Sequence, residues 1–136
     1  MTDYLIIGNG VAGTTAAENI RKTDEEGDIT IVTGEDLLFY HRIRLTEYIS
    51  GEIAEDDLVA RNKEWYKDQN INLELMTRIV KAEHQKKVIM TEDNRTFSYD
   101  RLLIATGSHS FIPPIKGSEK KGVFSLRTIK DARDIS

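Results

Sequence analysis

Gly8, Gly10 and Gly13 stand at G-x-G-x-x-G spacing in the opening run DYLIIGNGVAGTTAAENIR. In that spacing the first glycine allows a tight turn, the second lets backbone approach a phosphate pair, and the third lets a helix pack closely on a strand. The chemistry is anion binding. Backbone N–H groups of Gly10, Val11, Ala12 and Gly13 would face the anion at the positive end of a helix dipole. A dinucleotide also needs a carboxylate about twenty residues further on, for its ribose hydroxyls. Glu35 or Asp36 in VTGED can supply it, with Glu35 preferred, and Gly34 leaves the register open by one. Such a carboxylate repels a 2′-phosphate, so NADP is disfavoured at this site. A glycine turn without ligand and a solvated loop carboxylate are the bland alternatives.

These residues need particular elements around them. Tyr4-Leu5-Ile6-Ile7 is a short apolar run, suited to a strand buried on both faces. VAGTTAAENIRK reads as a helix from about Gly10 to Lys22, with Val11, Ala16, Ala17 and Ile20 available for one buried stripe. TDEEGD ends it, and DITIV follows as a β-branched strand. Strand, glycine turn, helix, strand is the first half of a Rossmann unit. NKEWYKDQNINLEL predicts a helix ending near Asn70, then an alternating strand through Ile71, Leu73 and Leu75. TRIVKAEHQKKVIMTEDNRTFSYD predicts three short strands with turns at HQKK and EDN. The predicted fold is α/β: a parallel sheet from residues near 3–8, 28–33, 71–75 and 101–106, a helix on one face and the antiparallel meander on the other.

A length of 136 residues, with 39% hydrophobic and 31% charged side chains, fits an ordinary globular domain. The net charge of −4 offers no basic field for nucleic acid or an anionic membrane. No apolar run reaches membrane-spanning length and no leader pattern precedes Asp3, which predicts a cytoplasmic protein. With no cysteine, a disulfide, a thiolate metal site and a catalytic thiol are excluded. His41, His84 and His109 lie far apart without partners at ligand spacing, so no metal site is expected, and no residue is expected to be catalytic. Trp65 and Tyr66 read as a helix face packing on the core, and Lys86-Lys87 and Lys120-Lys121 as turn charges.

Up to this point an NAD site and an FAD site fit equally. The distant stretch YDRLLIATG separates them: Leu102-Leu103-Ile104 read as a buried strand running into Ala105-Thr106-Gly107. The glycine loop together with this stretch resembles the pyridine nucleotide-disulfide oxidoreductase superfamily. The resemblance implies that the first Rossmann unit holds FAD, with Ala105, Thr106 and Gly107 beside the same cofactor. It also implies that Ile79 offers its backbone to the adenine. The meander agrees, since a simple NAD dehydrogenase would continue with helix–strand alternation.

The segment YHRIRLTEYISGE is similar to the Tyr-x-Arg-x-x-Leu segment of rubredoxin and ferredoxin reductases, and to the flavin region of NAD(P)H-nitrite reductase. That resemblance puts Arg42 near the flavin or its pyrophosphate. Relatives often carry proline where Ser110 stands, and some carry lysine at Glu47; Arg44 is available to compensate for that lost cation. The redox cysteines of the disulfide reductases are absent. The resemblance further implies NAD(P)H as co-substrate and a redox metalloprotein or linked redox domain as partner.

By the same resemblance, residues 1–110 are the first part of an FAD-binding domain. Residues 111–136 form an exit segment leading toward an NAD(P)H-binding domain that these residues do not include. No second glycine fingerprint occurs between the ATG turn and Ser136. The FAD domain is therefore expected to be incomplete, with FAD held weakly or not at all, and its sheet edge open to self-association. A minimal NAD-binding Rossmann module and a cofactor-free remnant are the alternatives.

Overall fold

The computed structural model describes residues 1–136. In chain order its elements are β1 (Asp3–Ile7), α1 (Val11–Thr23), β2 (Asp28–Val32), α2 (Leu45–Ser50), α3 (Lys63–Asp68), β3 (Ile71–Glu74), β4 (Ile79–Glu83), β5 (Val88–Thr91), β6 (Thr96–Ser98), β7 (Arg101–Ile104) and α4 (Ile129–Ile135). They divide into two units. One holds Met1–Phe39 and Arg61–Gly107, the other Tyr40–Ala60 and Ser108–Ser136.

The first unit contains both sheets. Four parallel strands are ordered β3-β2-β1-β7, and three antiparallel strands are ordered β4-β5-β6. Side chains alternate across a strand, and β1 uses both faces. Ile6 joins Ile29, Ile31, Ala17, Tyr66 and Ile71 in the core on the helical face. Leu5 and Ile7 join Val32, Ile89 and Tyr99 on the meander face. The helix and the meander thus cover opposite faces, as the sequence pattern predicts.

Helix α1 starts directly at Gly10 and buries Gly13, Thr14 and Ala17. Ala16 and Ile20 pack beside that core. Val11 does not join the stripe: it is 71% exposed, because it sits in the first helical position, ahead of the turn that meets the sheet. At the other end Arg21 ties two segments together. Its guanidinium donates to the carbonyls of Asp24 and Glu25, and to those of Gln69 and Asn70.

Two further expectations are corrected. β3 ends at Glu74, leaving half-buried Leu75 outside the strand, because Met76 turns in the left-handed region and donates to the Glu35 carbonyl. β7 is not a buried strand: Leu103 is 37% and Ile104 64% exposed, since β7 ends the sheet and pairs only with β1.

In the second unit α2 and α4 pack together. Tyr40 is buried, bridges to Val59, and its hydroxyl accepts from the Ile129 N–H (2.9 Å) and from Arg42 Nη1 (2.8 Å). A capping box starts α4: the Thr128 hydroxyl accepts from the Asp131 N–H and the Asp131 carboxylate accepts from the Thr128 N–H. Arg133 pairs with Glu55 at 2.6 Å. No helix is long and apolar enough to cross a membrane.

Candidate functional site

Parallel strands of this kind leave a crevice at their carboxyl ends, where the first strand turns into its helix. Here that turn is Gly8-Asn9-Gly10. Gly8 has φ +115°, a conformation for which only glycine carries no penalty, and its N–H donates to Val32 O at 2.8 Å. A Cβ on Gly8 would lie 2.2 Å from the Ala105 carbonyl oxygen. The Ala105 N–H in turn donates to Ile7 O at 2.8 Å. The glycine loop and the Ala-Thr-Gly turn, far apart in sequence, are therefore in backbone contact.

Gly13 serves the close approach of helix and strand: a Cβ there would meet the Gly8 carbonyl oxygen at 2.0 Å and Ile6 Cγ2 at 3.3 Å. Gly10 is different. A Cβ there would meet nothing within 4 Å, so the space over it is open. Gly10 is the N-cap of α1, with no side chain capping the helix and no acidic residue in its first turn. The N–H groups of Val11, Ala12 and Gly13 have no intrahelical acceptor by the geometry of a helix start. Thirteen residues of α1 align their dipoles behind them. Open space, free donors and positive potential fit a pyrophosphate.

Beside the loop lies a cleft of about 260 Å³, lined by Ile7, Gly8, Val32, Thr33, Gly34, Glu35, Thr77, Arg78, Ile79 and Thr106. Glu35 is half-buried there, whereas Asp36 is exposed and outside the lining. Ile79 opens β4, an edge strand of the meander sheet. Gly107 follows Thr106 in the left-handed region (φ 70°). The first unit thus brings together Gly8, Gly10, Val11, Ala12, Gly13, Glu35, Ile79, Ala105, Thr106 and Gly107.

Arg42 belongs to the second unit, where Nη1 donates to Tyr40 Oη and to the Arg127 carbonyl (3.0 Å) and the guanidinium lies 5.0 Å from the Tyr40 ring centre. Arg44 is engaged by Glu47, with Nη2 2.9 Å from Oε2, and that pairing raises its pKa above the ordinary arginine value. A cation with that partner is not a free substitute for a lysine at position 47.

Three side chains of the first unit escaped the sequence reading. Arg78 lines the cleft, exposed, with a guanidinium that makes no hydrogen bond or ion pair. Asn9, a variable position of the glycine motif, accepts through Oδ1 from the Tyr66 hydroxyl at 2.9 Å. Tyr66 packs in the core as the helix pattern indicates, yet its hydroxyl reaches the loop. No periodicity signals a bond between residues so far apart.

Residues 2–136 match the pyridine nucleotide-disulphide oxidoreductase family. The chain belongs to that family. It is 38% identical to a nitrite reductase (NAD(P)H) of Bacillus subtilis, over 93% of this chain and 16% of that protein. It is 31% identical to a rubredoxin-NAD(+) reductase of Pseudomonas putida, over 96% of this chain and 34% of that protein. The solved NADH:rubredoxin oxidoreductase from Clostridium acetobutylicum superposes with a TM-score of 0.84 at 28% identity, covering 98% of this chain and 34% of that one. The chain therefore spans between 16% and 34% of the length of these relatives. Residues 1–136 contain no cysteine.

Proposed function

We propose that these residues are the FAD-binding portion of an NAD(P)H-dependent flavoprotein oxidoreductase that passes electrons to a redox metalloprotein or a linked redox centre. What supports the reading most is the contact of the glycine loop with the Ala105-Thr106-Gly107 turn, an approach so close that a Cβ at position 8 would lie 2.2 Å from the Ala105 carbonyl oxygen. In this reading residues 1–110 are the first part of the flavin domain and 111–136 an exit segment. The backbone of Gly10, Val11, Ala12 and Gly13 holds the pyrophosphate. Glu35, with Asp36 as its neighbour, holds a ribose; Ile79 meets the adenine through its backbone; Arg42 serves the flavin end. When bound, the flavin supplies hydride acceptance from a nicotinamide and release of electrons to the acceptor. A cytoplasmic setting and pairing of copies along the β7 edge belong to the same proposal; light scattering tests the pairing.

Mass spectrometry of small molecules released on denaturation, with FAD titration of the apo chain, tests the assignment. FAD is expected, held weakly, because these residues grip mainly the AMP half. Gly10→Val, which puts a branched side chain into the open space, is expected to abolish binding and keep the fold. Binding of NAD but not FAD would favour a minimal NAD module, and binding of neither a cofactor-free role. NADH oxidation with ferricyanide is expected at the rate of free flavin only. Hydride transfer needs the nicotinamide held at roughly 3–3.5 Å, and no second glycine fingerprint lies within these residues to hold it.

A further inference from the structure

Asn9 carries the loop's one side chain between Gly8 and Gly10, and that side chain has a single anchor. Its Oδ1 accepts from the Tyr66 hydroxyl, while its Nδ2 is buried without any partner. The same hydroxyl accepts from the Phe39 N–H at 3.2 Å. Tyr66 itself is fixed: it is 3% exposed, stands on α3, and meets Trp65 edge-on at 4.9 Å between ring centres. Burial pushes the phenol above its ordinary pKa, so at neutral pH it keeps the proton it donates. A Gly-x-Gly turn is otherwise the most permissive backbone a loop can have. Apart from the phenol, no hydrogen bond holds either end of the Asn9 amide.

We propose that Tyr66 is a positioning residue for the glycine loop, its hydroxyl holding Asn9 so that the backbone at Gly10 stays open toward a pyrophosphate. The inference rests on the nucleotide-binding reading of that loop and deepens it. Tyr66 acts from α3 through Asn9, and the Phe39 N–H completes the hydroxyl's bonding and fixes its direction.

The test uses the full chain, amide hydrogen exchange at Asn9 to Gly13, and NMR titration with ADP, which carries a pyrophosphate and an adenosine. Tyr66→Phe keeps the ring and removes the anchor. Faster exchange at Asn9 and Gly10 and ADP binding weakened about three- to tenfold are expected, the size of one lost neutral hydrogen bond. Asn9→Ala is expected to do the same, and the double variant no more than either single one. Ile71→Val, in the same core cluster, is the control: lower stability with unchanged exchange and ADP affinity. Unchanged loop exchange and ADP affinity in Tyr66→Phe, with only a lower unfolding midpoint, would overturn the proposal and leave the hydroxyl a core contact. Failure of the parent chain to bind ADP would overturn the nucleotide reading instead, and the exchange measurement would still decide the role of Tyr66.

Discussion

β2 and β7 flank the same strand, β1, and both are rich in branched apolar residues, yet they lead different lives. Ile29, Ile31 and Val32 of β2 are wholly buried, whereas Leu103 and Ile104 of β7 face solvent. β2 has a strand on each side, helical core on one face and meander core on the other. β7 has β1 on one side only, and of its residues Leu102 alone packs against the meander cluster. Burial belongs to what covers a strand, not to the strand's own composition. The same distinction separates the glycines, since Gly8 is pressed against β7's exit turn and Gly10 faces open space.

The comparison is most sharply broken by truncation. Ile31→Ala in β2 is expected to cost about 2–5 kcal/mol, the range for an aliphatic core cavity. Ile104→Ala in β7 is expected to stay within about 0.5 kcal/mol, as for an exposed site. Urea unfolding of both variants checks this, and equal costs would mean that β7 is covered in solution. The glycines come next. Gly8→Ala forces a non-glycine residue to φ +115° and drives its Cβ into the Ala105 carbonyl, and is expected to cost at least about 1–3 kcal/mol. Gly10→Ala meets no atom and loses only a fair N-cap, under about 1 kcal/mol. Thermal melts that reverse this order would show that the loop and the Ala-Thr-Gly turn are not in contact.

The smallest effect lies on β4, another edge strand, where exposed charges take the place of apolar cover. Hydrogen bonds from Lys81 (2.6 Å) and Lys86 (2.7 Å) lower the Glu83 pKa from the ordinary 4.5 to about 2. The folded value is the depressed one, so the pairs' contribution is present above about 4.5 and lost as pH falls from there through about 2. The exposure of both lysines and screening by salt keep it small. An NMR titration is expected to show the low midpoint, and Lys81→Ala to raise it. A midpoint at the ordinary carboxylate value in the parent would mean that the two lysines do not hold Glu83.

What was legible in the sequence was what neighbours along the chain determine. The β-branched run DITIV marks β2, the spacing of Gly8, Gly10 and Gly13 marks the loop, and HQKK marks the turn between β4 and β5. Val11 looked like part of a stripe because periodicity does not tell where a helix first meets the sheet. Leu103 and Ile104 looked buried because an apolar run does not say whether the strand has one neighbour or two. The bonds of Tyr66 to Asn9 and to Phe39 depend on α3 arriving beside the loop, which only the folded chain decides. The second unit was illegible for the same reason: it joins Tyr40–Ala60 to Ser108–Ser136 across the intervening stretch Arg61–Gly107 of the first unit.

Arg21 carries a consequence for kinetics. Its guanidinium links the end of α1 to the turn between α3 and β3, so its full set of four carbonyl bonds exists only when both segments are in place. Such a set, reaching 48 residues along the chain, closes after contacts of shorter sequence separation. The bonds therefore act on the escape rate from the folded state more than on the rate of reaching it. Arg21→Lys keeps the charge and loses the planar fork that reaches several carbonyls at once. In stopped-flow chevrons it is expected to speed unfolding and leave refolding nearly unchanged, making Arg21 a latch on the native state's lifetime.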